Sequence, residues 1–139
     1  MTTKPGTESW RGPCPRRRVA LQQRATLDAL REAIVAGRRA AVAATLHGAV
    51  EMIVDGGGRV PAPVTPVRGR DAAARALLEI LHPDAHTSVL VASVNGAPAL
   101  VVRRGTAVVA VVVVAFRGHR VATIWVVVNP DKLSHWNRP

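Results

Sequence analysis

Residues Ala107–Phe116 form an unbroken run of Val, Ala and Phe, and a second apolar run, Val121–Val128, follows after four residues. A membrane-spanning helix needs about 20 continuous apolar residues. Arg117, Gly118, His119 and Arg120 interrupt the pattern at a turn,. Valine's stiff χ1 suits a pleated strand better than a helix. The two runs therefore read as adjacent strands, apolar on both faces, inside a sheet covered on both sides.

The rest of the chain supplies the cover. Strands are expected at about Thr87–Val94 and Ala99–Arg104, joined by Asn95-Gly96, a pair whose backbone suits a two-residue hairpin,. With Ala107–Phe116 and Val121–Asn129 they make a four-strand antiparallel meander. An earlier strand, Val50–Asp55, turns Val50, Met52 and Val54 one way and Glu51, Ile53 and Asp55 the other,. Helices are expected over Val19–Ala36, where Leu27, Leu30 and Ile34 share a face, over Arg38–Leu46, and over Asp71–Leu81,. Helices set apart from an antiparallel sheet define an α+β domain. The sheet is expected to curl around the helices, leaving a space between its concave face and the first helix.

The 139 residues suffice for one domain with a real core,. Residues 1–18 read as a basic flexible tail or linker remnant and 19–139 as the folded domain. Cys14 is the single cysteine, so no internal disulfide or Cys-based zinc site can form, and a cytoplasmic location fits,. No secretory signal opens the chain, and no membrane contact is expected. The formal charge of +10 excludes a basic partner and favours an acidic surface or nucleic acid,. The arginines are scattered rather than gathered on one helix, so DNA contact is expected only indirectly or through the basic tail. His82 and His86 have helical metal-pair spacing, but Pro83 between them disfavours a helix; no metal and no cofactor is expected,.

Two short motifs stand out. Asp55-Gly56-Gly57-Gly58-Arg59 follows a strand directly. It lacks the Gly-Lys-Ser/Thr ending of a phosphate-binding loop and opens into Pro-rich chain instead of a helix. Asn129-Pro130-Asp131-Lys132-Leu133 follows the last strand, where Pro130 ends pairing for want of an N–H,. Between them stand Pro66-Val67-Arg68-Gly69 and Val94-Asn95-Gly96-Ala97-Pro98.

In this order the motifs resemble the SnoaL-like C-terminal domain of the SigJ-like group of extracytoplasmic-function sigma factors. The resemblance covers about residues 19–136. It implies a nuclear-transport-factor-like cone, a curved antiparallel or mixed sheet wrapped on three helices. It also implies a non-enzymatic regulatory role: contacting a sigma factor or the RNA polymerase core and tuning transcription. Asp55, Gly56, Gly57, Gly58, Arg59 and the five residues Asn129–Leu133 would be the partner-contact motifs. Arg59 replaces the family's usual Lys, and His47-Gly48 stands where the family tends to be acidic. The promoter-recognising domains find no room in residues 1–18, so the expectation is a stand-alone regulator, a truncated gene product or a relative that kept the fold and changed its job.

The same fold hosts cyclases, isomerases and epoxide hydrolases. The alternative is therefore a small-molecule-binding or catalytic SnoaL-like protein with Asp55 as base, and with Glu51, Arg103, Thr123 and Trp125 lining a conical pocket. A homodimer through the apolar outer face of the sheet is a further expectation.

Overall fold

The fold is described from a computed structural model, which covers residues 15–59 and 61–137. Most of the basic tail, with Trp10 and Cys14, lies outside the described residues. Helix α1 spans Pro15–Ala36, α2 Arg39–Ala44, α3 Arg70–Leu81 and α4 Pro130–Leu133. Strands are β1 Leu46–Asp55, β2 Val67–Arg68, β3 Thr87–Val94, β4 Ala97–Arg104, β5 Ala107–Arg117 and β6 Arg120–Val127. They form one six-stranded mixed sheet in the order β2-β1-β6-β5-β4-β3. β3 to β6 make the expected antiparallel meander, and β1 joins β6 in parallel. The architecture is the expected α+β one, a curved open sheet with α1, α2 and α3 packed on one side.

α1 starts four residues ahead of expectation, so Arg16, Arg17 and Arg18 lie on its exposed first turns. Its apolar stripe, Leu27, Leu30, Ala33 and Ile34, is buried, and Gly37 at φ +66 ends it,. α3 buries Ala73, Ala74, Leu77 and Leu81. Its C-terminus turns through left-handed His82, and Arg104 Nη2 donates to the carbonyls of Leu81 (2.6 Å) and His82 (2.8 Å). These are helix-end acceptors that no intrahelical N–H can reach. β1 begins at Leu46 rather than Val50, with an irregular register between Leu46 and Glu51. The two-residue β2 is an element that the Pro-rich sequence gave no sign of; it pairs with β1 through Glu51 and Met52.

The alternation of the strands decides the core. Val50, Met52, Leu100, Val102, Val112, Val114, Ile124 and Val126 face the helices and are almost wholly buried against Leu30, Ile34 and Leu77. Side chains therefore fill the middle of the space expected between the concave face and α1. On the other side of the sheet Ala99, Val101, Val108 and Val111 form a smaller cluster under Leu133 of α4. β5 is thus covered on both faces at its Val108–Val111 end, while Val113 and Ala115 further along its outer side are only half-buried. β6 is open on its outer side, where Trp125 is 40% exposed.

Candidate functional site

β1 and β6 run parallel and end side by side, and the last rung is the Val128 N–H donating to the Asp55 carbonyl at 2.9 Å. Both motifs start at this rim, so topology brings together residues more than 70 positions apart in sequence. The glycine loop leaves β1 with Gly57 and Gly58 at φ +63 and +74. Side chains rarely adopt this conformation and glycine does so freely. Asp55 Oδ1 accepts the Gly57 N–H at 3.0 Å, closing a small Asx turn,.

The terminal motif answers each feature of the loop. Asn129, buried, caps α4 by accepting the Asp131 N–H at 3.1 Å, with Pro130 in the first helical position,. Its carboxamide occupies the space where a Cβ on Gly57 would sit. Lys132 Nζ meets Asp55 Oδ2 at 2.5 Å, and Arg59 Nη1 meets Asp131 Oδ1 at 2.8 Å. Leu133 turns inward and is buried against the outer sheet face. The Lys132 ammonium, chiefly by its hydrogen bond, holds the Asp55 carboxyl below the usual carboxylate range against an opposing push from partial burial,. The Gly57 N–H and Asn129 lower it further. The ten motif residues thus form one cluster. An open depression of about 590 Å³ lies at the loop, lined by Asp55, the three glycines, Arg59 and Pro61 among others.

The residues expected to line a conical pocket do not share one. Glu51, Asp55, Thr123 and Trp125 project from the side of the sheet opposite the helices, because Val50, Met52, Ile124 and Val126 take the inward positions. Glu51 pairs with Arg68 at 2.9 Å across the β1–β2 edge. Thr123 lies level with Glu51, and Trp125 with Ile53. Arg103 is three strands from β1, at the exposed end of β4 opposite Val108. Asp55 lies at the rim with both carboxylate oxygens engaged. Two other depressions lie elsewhere. One of about 670 Å³ runs between α1, α2 and the β5–β6 turn, and one of about 310 Å³ lies between α1 and the β3–β4 hairpin. Among the described residues no cluster of His, Cys, Asp and Glu could hold a metal ion, and no helix is long and apolar enough to cross a membrane.

Two partnerships were not specified by the sequence. Arg68, which stands in the Pro66–Gly69 motif, pairs with Glu51, and β2 had no pattern to reveal that it lies beside β1. Asn137 reaches back to Val108 of β5, and no periodicity marks a residue so close to the chain end.

No family profile and no curated protein sequence matches the chain. Solved structures do. The extracytoplasmic-function sigma factor SigJ of Mycobacterium tuberculosis superposes with a TM-score of 0.58 at 22% identity, over 80% of this chain and 43% of that one. A SnoaL-like protein of unknown function from Burkholderia thailandensis gives 0.53 at 16% identity, over 76% of this chain and 92% of that one. A candidate isomerase from Bacillus subtilis gives 0.56 at 11% identity, over 84% and 93%. The chain thus spans less than half of the sigma factor that it resembles. At these identities the likeness is one of fold, and the fold is the SnoaL-like cone.

Proposed function

We propose that the protein is a non-enzymatic regulatory domain that tunes transcription by contacting a sigma factor or the RNA polymerase core. The observation behind this reading is the joining of the two motifs into one exposed cluster at the β1–β6 rim, held by Asp55–Lys132 and Arg59–Asp131. Both motifs belong to the resemblance with SigJ-like sigma factors, and a sigma factor is among the proteins that share the fold. Asp55 suits a loop-pinning role better than that of a general base. A base working near neutral pH gains from a raised pKa, and here the carboxyl is lowered and doubly bonded,. Contact with DNA would fall to the basic first turns of α1, with Arg16, Arg17 and Arg18.

The test is recovery of partners from the native host with tagged protein, beside the double variant Arg59→Ala/Lys132→Ala. Both side chains are more than half exposed, so the variant should stay folded. Polymerase or a sigma factor should come down with the original chain and be lost with the variant. Recovery of neither by well-folded protein overturns the reading. The small-molecule alternative keeps one observation, the isomerase-like fold neighbour. Activity that survives every change except Asp55→Asn would favour it.

A further inference from the structure

The sheet has two outer edges. One is β2, only two residues long. The other is β3, eight residues with no charge, no proline and no register break against β4. Charges, prolines and bulges are the usual devices that stop a further strand from adding to an edge. The Asn95-Gly96 turn decides which groups of β3 point outward. In a two-residue hairpin the flanking residues, here Val94 and Ala97, exchange both bonds, and every second pair does the same. Those pairs are Ala92 with Ala99, Leu90 with Val101 and Ser88 with Arg103. Val89, Val91 and Ser93 therefore turn their N–H and C=O away from β4. Thr87 belongs to the same set, and its N–H donates outward to the Asp84 carbonyl at 3.1 Å. Among the described residues, no backbone group from outside the ladder bonds to Val89, Val91 or Ser93.

Beside this edge lies the depression of about 310 Å³, with Val91, Ala92 and Ser93 on one side and Ala20, Arg24 and Leu27 of α1 on the other. Successive residues of a strand point to opposite faces. A depression lined by three in a row thus opens at the edge of the strand instead of on one face. Its apolar walls suit an aliphatic side chain. Its charge is positive: Arg24 is well exposed and has a loose 3.4 Å contact with Asp28, and Arg17 stands two turns earlier on the same helix face,. Outward peptide groups repeating every second residue are matched by another extended backbone. The cations beside them call for carboxylates. A second copy fits badly, because β3 against β3 would bring both sets of Arg17 and Arg24 to one seam, between chains of formal charge +10 each,.

We propose that the free edge of β3 is a docking site for an extended acidic segment of a partner protein, which adds to the sheet as a seventh, antiparallel strand between β3 and α1. In antiparallel pairing, residues that bond each other point their side chains to the same face. The segment's residues bonded to Val89, Val91 and Ser93 therefore face α1, as Val89 and Val91 do. They carry an aliphatic group for the depression and a carboxylate for Arg24. Its alternate residues lie beside Leu90, which is 47% exposed on the outer face.

The probe is the capped peptide Thr-Glu-Val-Leu-Thr-Glu-Val, titrated into the ¹⁵N-labelled full chain. Shifts should centre on the Val89, Val91 and Ser93 amides, and binding should protect these amides from hydrogen exchange. N-methylation of the peptide's two Glu residues, whose N–H groups face β3, should abolish binding. N-methylation of its Thr and Val residues, whose N–H groups face solvent, should leave binding intact. Arg24→Glu, a change at an exposed position, should weaken binding at least about tenfold. No binding by the folded chain, binding indifferent to which set is methylated, or unchanged binding by Arg24→Glu overturns the proposal. So does protection of the Val91 and Ser93 amides in the peptide-free chain, because the edge is then already paired by a second copy or by the residues ahead of α1. The mixture contains neither polymerase nor sigma factor, so its outcome is independent of the transcriptional reading.

Discussion

Asn129 lies directly against Gly57, its carboxamide filling the volume that any side chain at position 57 would need. The contact joins the end of β6 to the loop after β1. It also leaves Asn129 placed to cap α4.

Gly57→Ala should therefore cost more than Gly58→Ala. Both glycines have positive φ, which strains an alanine by roughly 1–2 kcal/mol,. Gly58 faces open space, so its variant should lose only about that much,. At Gly57 the new methyl must also displace Asn129 and its cap, adding about 1 kcal/mol,. Denaturant unfolding of the two variants measures the difference. Equal losses would show that the Asn129 contact contributes nothing.

The hold on the terminal segment should weaken in acid. The Asp55 pKa is lowered in the folded state, chiefly by Lys132. A lowered carboxyl contributes stability above its unfolded pKa and loses it as the pH falls through the folded value. Exchange protection at the Gly57 and Val128 amides should be constant near neutrality and fall below about pH 4. Asp55→Asn should remove that dependence at these amides. Asp84 is also lowered, by the His86 N–H first, so whole-molecule unfolding would mix the two, and the local amides are the proper readout.

The two faces of the sheet should respond differently to truncation. Leu100 is fully buried on the helix side, and Leu100→Ala should cost about 2–5 kcal/mol,. Trp125, 40% exposed beside Ile53, should tolerate Trp125→Glu with only a small loss in the monomer. If a homodimer forms through the outer face, as the apolar strands lead us to expect, Trp125→Glu should halve the mass seen by light scattering. A monomeric original chain removes that expectation.

Arg104→Ala should destabilise the end of α3. Arg104 satisfies the Leu81 and His82 carbonyls, and its Nε lies 3.6 Å from Asp84. Loss of charge-assisted bonds to helix-end acceptors is worth about 1.5–3 kcal/mol. Arg103→Ala, one position away and exposed, should be nearly silent. Thermal unfolding of the pair separates them.

Local pattern alone determined most of the elements of this chain. The period of Leu27, Leu30 and Ile34, the Asn95-Gly96 turn and the apolar runs after Gly105 each depend on a few neighbouring residues, and such signals are written in the sequence itself. Alternation likewise separated Val50 and Met52 from Glu51 and Asp55 on β1, but not which of the two sets turns inward. The tertiary structure decided what lies beside what. The parallel pairing of β1 with β6 brings Asp55 to Lys132 across 77 positions, and no local rule encodes that distance. It also decided that the helices fill the concave side, which places Glu51, Thr123 and Trp125 on the outer face instead of in a cavity. Asn137 is the clearest case. Its bond to Val108 exists because β6 stops at a proline while β5 runs on, a mismatch between two strands that only their assembly reveals.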